Sequence, residues 1–246
     1  MKVFLAGTGA IKDTKKLKNA DYILESFYSI KPHQIPLIQQ CKMFLLDSGA
    51  FTFMNNTKKG NGVDWKSYID RYVDFINKHD VKYFFELDID VIVGHENVKK
   101  IRKYIEQRTS KKCIPVWHKS RGLEEFVRLC KEYGYISIGG LVTKEIKIGE
   151  YKYLSKLIEI AHENNCKIHG LGFTGLAKLS KYHFDSVDST TWLNGERFGE
   201  IHLFKNGTIE KHAGAKRGMR VKRDVKANEH NLQEWIKFQK YADAHL

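Results

Sequence analysis

From its start to about residue 190, the chain alternates short apolar runs with longer amphipathic stretches. Eight runs have strand length: Lys2–Gly7, Tyr22–Tyr28, Met43–Asp47, Val81–Asp88, Cys113–His118, Tyr135–Gly139, Lys167–Gly170 and Phe184–Asp188. They are apolar throughout instead of alternating, the pattern of parallel strands covered on both faces. Between them, apolar residues recur at i, i+3 and i+4, as in Trp65, Tyr68, Ile69, Tyr72, Val73 and Ile76. The same helical period recurs in Val98–Ile105, Phe126–Cys130 and Tyr153–Ala161. Eight strand–helix repeats in this length predict an α/β protein, a single (β/α)8 TIM-type barrel. The first two repeats are the least regular, so an imperfect barrel is expected there.

Residues 1–246 are read as one domain, with the barrel over about 1–195 and a C-terminal hairpin, basic segment and helix over 196–246. Glu200–Glu210 carries Asn206-Gly207 between two apolar runs, which predicts a hairpin with a type I′ turn. The basic segment Lys211–Lys226 follows, and an amphipathic helix is expected from about Asn231 to His245.

Hydrophobic residues make up 42% of the chain and aromatic ones 12%, which fits a packed core and excludes a disordered chain. No run reaches the roughly 18 apolar residues of a membrane span. Met1–Gly7 reads as a first strand, too short for a signal peptide, so a cytoplasmic location is expected. Four scattered cysteines without a C-x-x-C pair argue against a zinc knuckle or a disulfide framework. A net charge of +13 changes the picture more, because a basic surface attracts polyanions, nucleic acid first among them.

In a parallel barrel, the C-terminal ends of all strands meet at one mouth, where catalytic groups are found. Asp47, Asp88, Asp90, His118, Gly139, Gly140, His169 and Asp188 fall at such ends, with Glu86 below Asp88 and Asp185 near Asp188. One carboxylate alone would be an ordinary helix cap. Two at one mouth suggest a nucleophile and a proton carrier. A metal site built from His118, His169, Asp88 and Asp188 is the competing chemistry, although Ala6-Gly7-Thr8-Gly9 supplies no strong ligand at the first strand.

Five segments in order, between residues 43 and 190, resemble the tRNA-guanine (queuine/archaeosine) transglycosylases and their DNA-modifying relatives. Asp47-Ser48-Gly49-Ala50-Phe51 is similar to the family's D-S-G-G-[FY], and Tyr135–Leu141 to its Y-x-I-G-G-L. Ile168-His169-Gly170-Leu171-Gly172 is similar to L-M-G-V-G, and Phe184–Asp188 aligns without gaps on I-D-M-F-D. Val116-Trp117-His118 falls where the family has I-V-Q.

The resemblance implies a (β/α)8 barrel and a pentosyltransferase that needs no cofactor. It implies that Asp188 attacks C1′ of a guanosine and that Asp47 acts as general acid/base. Asp185 is the alternative nucleophile, on a shorter match of Phe184-Asp185. Substrate contacts are implied for Ser48, Phe51, Asp88, Asp90, His118, Gly139, Gly140, Leu141, His169 and Gly170, with Phe51 and His169 sandwiching the base. In this scheme Asp88 reads the base edge, and Gly139 and Gly140 bring amides to the base carbonyl.

The cysteine-and-histidine zinc site of the tRNA enzymes has no counterpart here. A compact, zinc-free, lysine-rich chain is most like the phage-type enzymes that place a preQ0-like 7-deazaguanine into DNA, which would put it in a host cytoplasm. DNA is therefore preferred to tRNA as partner, with Lys216, Arg217, Arg220, Lys222 and Arg223 expected to track phosphates. A monomer is expected. A catalytically inactive nucleic-acid-binding barrel and a metal-dependent hydrolase are the readings from other classes.

Overall fold

The computed structural model describes residues 1–54, 62–173, 179–212 and 225–246. Eight strands form one all-parallel sheet: β1 (Lys2–Ala6), β2 (Tyr22–Ser26), β3 (Met43–Asp47), β4 (Tyr83–Phe84), β5 (Val116–Trp117), β6 (Tyr135–Ile138), β7 (Lys167–Gly170) and β8 (Ser186–Ser189). Their spatial order is β4-β3-β2-β1-β8-β7-β6-β5, so β1 lies between β2 and β8. The two edge strands meet through a parallel bridge between Phe85 and Ile114, where Glu86 N donates to Ile114 O at 3.0 Å. The sheet thus curls into the expected TIM-type arrangement, with an observed strand overlapping each of the eight runs.

The apolar runs divide by parity. Phe4, Ala6, Tyr22, Leu24, Leu45, Phe85, Ile114 and Val116 pack inside the sheet. Their neighbours Val3, Leu5, Ile23, Phe44, Leu46, Ile136, Ile168 and Val187 face outward into the larger core. There they meet helix residues such as Tyr72, Val73 and Ile76 of Trp65–Lys78. Side chains on successive residues point to opposite faces of a strand, so each buried run feeds both cores.

Helices Trp65–Lys78, His95–Thr109, Gly122–Glu132 and Leu154–Glu163 match the periodic stretches. The first two repeats are irregular, as expected: only 3-10 turns, at Thr8–Ala10 and Thr14–Leu17, follow β1. A 3-10 turn at Pro32–Gln34 and a four-residue helix, Leu37–Gln40, follow β2. A polar cluster fills the outer face there. Glu25 is buried, accepts from Thr8 N at 2.6 Å and from the Thr8 hydroxyl, and Gln34 Nε2 donates to Thr8 Oγ1 at 3.2 Å. Burial pushes the Glu25 carboxyl up to about 7 against those bonds.

The predicted hairpin forms as β9 (Ile201–Lys205) and β10 (Thr208–His212), with Asn206 and Gly207 at φ +50° and +77° as a type I′ turn requires. The last helix begins at Val225, earlier than the apolar period indicates, and runs to His245. Its Gln239 donates to Val3 O and Tyr22 O, both at 2.8 Å, at the lower ends of β1 and β2. All four cysteines are free thiols. Among the described residues, no helix is long and apolar enough to cross a membrane.

Candidate active site at the barrel mouth

Asp47 ends β3, directly across from Ser26 at the end of β2. The chain then turns through Gly49, whose φ of +85° suits glycine and whose missing side chain leaves room for Tyr28 and Tyr68. Gly49 N donates to Asp47 Oδ2 at 3.1 Å. Burial pushes the Asp47 carboxyl up to about 6, and the negative charges of Asp188 and Asp88 add to the rise, outweighing the hydrogen bonds that oppose it. Asp47, at the end of β3, thus feels the charges of Asp188, on β8, and of Asp88, in the segment after β4.

Asp188, on β8, is 8% exposed. Its Oδ1 accepts from Gly172 N at 2.6 Å and faces His169 Nε2 at 3.2 Å. His169 lies opposite Ser186, so Asp188 stands two residues higher on β8, above the imidazole. A carboxylate oxygen can only accept, which places a proton on His169 Nε2 and leaves Nδ1 to accept from Ser186 Oγ at 2.7 Å. Tyr135 OH completes a buried chain by bonding Ser186 Oγ. Tyr135, Ser186 and His169 thereby fix one oxygen of Asp188. Among the described residues, Asp188 Oδ2 accepts no hydrogen bond.

This geometry corrects the expected role of His169. Its ring is fully buried, with Phe4 and Phe85 at centroid distances of 6.0 and 5.3 Å, so it orients Asp188 from below and cannot stack on a base. Phe51 lies on the helix Ala50–Met54 and is 46% exposed.

Asp185 lies at the other end of the barrel. Its backbone carbonyl accepts from Lys2 N, and its carboxylate accepts from Ile168 N at 2.8 Å beside His162 at 3.0 Å. Only Asp188 of the two candidate nucleophiles is at the mouth.

Asp88 is held in a buried charge cluster. Its Oδ2 pairs with His118 Nε2 at 2.6 Å and its Oδ1 with Arg121 at 2.7 Å. His118 Nδ1 faces Glu145 Oε2 at 2.8 Å, so both ring nitrogens meet carboxylates and both carry protons. Burial would lower the His118 pKa, but the bonds and charges of Asp88 and Glu145 push it up to about 9. Arg121 also reaches Glu86 at 3.1 Å and Asp90 at 3.2 Å, and Glu86 pairs with Arg102 at 2.9 Å. His118 thus has no ring nitrogen left for a ligand, whereas each Asp88 oxygen keeps one lone pair.

Gly139 N is committed to Trp117 O at 2.9 Å, so its amide does not serve a ligand carbonyl as expected. Its bare Cα is needed for another reason: a Cβ would lie 2.8 Å from His118 Cε1. Gly139→Ala is expected to displace His118 and to cost about 1–3 kcal/mol of stability by overpacking, read by urea unfolding. Gly140 adopts φ +78° and takes Ile146 N on its carbonyl. Ser48 and Leu141 are buried, and Gly170 sits against Phe173 and Phe184 of the outer core.

Arg121, Glu145, Tyr135 and Ser186 are the site residues that sequence reasoning missed as such. The expected phosphate-tracking residues Lys216, Arg217, Arg220, Lys222 and Arg223 lie outside the described residues. The alternative metal set separates into two pairs, Asp88–His118 and His169–Asp188. Among the described residues, no three His, Cys, Asp or Glu side chains converge to hold a metal ion.

Comparison with known proteins finds no family model that matches the chain and no curated protein that matches it.

Proposed function

We propose that this protein is a transglycosylase that exchanges guanine in DNA for a preQ0-like 7-deazaguanine through a covalent aspartyl–C1′ intermediate. One observation carries the reading. A carboxylate aimed by two donors, Asp188, shares a barrel mouth with a second carboxylate, Asp47, whose pKa is pushed up to about 6. The first suits a nucleophile, and the second suits a group that must both give and take a proton near neutral pH.

In the first step, Asp188 Oδ2 forms a bond to C1′ as the C1′–N9 bond breaks. The electron pair leaves on guanine, which takes the proton of Asp47. In the second step, Asp47 removes the proton from the incoming base nitrogen, which attacks C1′ and returns the electron pair to Asp188. Two inversions give net retention, the logic of a retaining glycosidase. The free lone pairs of Asp88 accept N–H groups of the base, and exposed Phe51 offers it a ring face. The basic surface draws the polyanion in, and the target guanine is flipped out of the stack to bring C1′ to Asp188.

The test supplies guanine-containing DNA and, in parallel, tRNA, each with labelled 7-deazaguanine. Label is expected in DNA. Label in tRNA alone moves the reading to RNA, and label in neither refutes it. Guanine release in a single turnover is expected to fall as pH rises through about 6, because that change removes the acid form of Asp47.

A further inference from the structure

A cavity of about 390 Å³ opens at the opposite end of the barrel, where the strands begin. Four lysines line it: Lys2 from β1, Lys82 ahead of β4, Lys112 ahead of β5 and Lys167 from β7. A single carboxylate, Asp185, lines it with them, and one of its oxygens already accepts from Ile168 N beside His162.

The lysines differ in what they meet. Lys112 is 3.5 Å from Glu106 and lies over the Tyr133 ring at 4.8 Å, and Lys2 lies over the Tyr22 ring at 6.0 Å. The side-chain ammonium groups of Lys82 and Lys167 make no hydrogen bond or ion pair with any described residue. With Lys112 paired to Glu106 and Asp185 engaged by Ile168 N, Lys2, Lys82 and Lys167 still leave the concavity with a net positive potential. The inner wall is polar where Tyr135 OH meets Ser186 Oγ, and the half-exposed Tyr83 adds a ring surface. A volume in the range of small-ligand sites, several cations and a flat aromatic wall suit one chemistry.

We infer that this cavity is a second site, separate from the barrel mouth, that binds a small phosphate-bearing anion. It does not depend on the transglycosylase reading: Tyr135 and Ser186 support Asp188 from one side and line this cavity from the other, but the four lysines that carry the inference stand where the strands begin. The ammonium groups contact phosphate oxygens as point charges, and Tyr83 supplies a face for a base where the anion is a nucleotide.

Titration calorimetry on the whole chain tests it with pyrophosphate and with AMP. Saturable binding of one equivalent is expected for at least one probe. A tighter fit for AMP assigns a nucleotide, and a tighter fit for pyrophosphate assigns a free oligophosphate. The Lys82→Gln/Lys167→Gln double variant is expected to weaken that binding about a hundredfold, since each of the two lost charge-assisted contacts is worth roughly a factor of ten. Lys78→Gln/Lys240→Gln, which removes two exposed lysines elsewhere, is expected to leave it unchanged. Failure of both probes to saturate at millimolar concentration overturns the inference, and so does equal weakening by the two double variants. Weakened binding of duplex DNA by Lys82→Gln/Lys167→Gln, with the small anions unaffected, would overturn it as well.

Discussion

Asp188→Asn is expected to abolish incorporation of 7-deazaguanine, by about a thousandfold or more, as loss of a covalent nucleophile does elsewhere. An amide cannot supply the electron pair that displaces the base. It still fills the same space and can still accept from Gly172 N, so the fold is retained. The same variant should fail to leave a DNA–protein adduct that survives denaturation, whereas the unaltered protein leaves one. Asp185→Asn is the control, since its carboxylate is spent on Ile168 N at the far end of the barrel. It is expected to keep activity within about threefold, in the range of changes that touch no reacting group. A dead Asp185→Asn beside an active Asp188→Asn would reverse the assignment.

His169 gives a finer version of this experiment. His169→Phe removes the Nε2 donor while keeping a ring between Phe4 and Phe85, so it separates orientation of Asp188 from packing.

The barrel was legible because its strands are buried on both faces, which forces apolar runs such as Met43–Asp47 and leaves polar residues only where a run emerges. The order of the strand ends therefore told which carboxylates could meet. Height along each strand was harder to read. His169 and Asp188 look equivalent as strand-end residues, yet the pairing of His169 with Ser186 puts the imidazole one layer lower. The signal was present in the parity of β8, where Ser186 and Asp188 share the inner face, and in Ser137 and His169 lying side by side on β6 and β7. The ligands of Asp88 carried no such signal. Arg121 and Glu145 come from the loops after β5 and β6, and nothing local distinguishes a buried arginine from a solvated one. Closure of the barrel between β4 and β5 brings Asp88 to Arg121, 33 positions on, and the pairing of β5 with β6 brings His118 to Glu145, 27 positions on.

That hidden cluster carries the largest expected effect on stability. The Arg121 side chain is 2% exposed and is shared by Glu86, Asp88, Asp90 and the carbonyl of Val116. Arg121→Met keeps most of the side-chain volume and removes the charge. Glu86 then retains only Arg102 and Val116 N, and Asp88 retains only His118, within a cluster of like charges. Removing one partner of a buried ion pair costs about 3–5 kcal/mol, because the remaining charge stays desolvated without compensation. A drop of that size is expected in urea unfolding at pH 7. The deficit should also shrink as pH falls. Burial already raises the Glu86 carboxyl, and Arg121 is one of the two positive charges that oppose the rise, so without it the variant takes up more protons on folding than the unaltered protein does. Stability of the variant relative to the unaltered protein must then rise toward acid pH. A loss below about 1 kcal/mol, or one independent of pH between 4 and 7, would mean that Arg121 is no keystone and that the carboxylates are neutralised by protons or water instead.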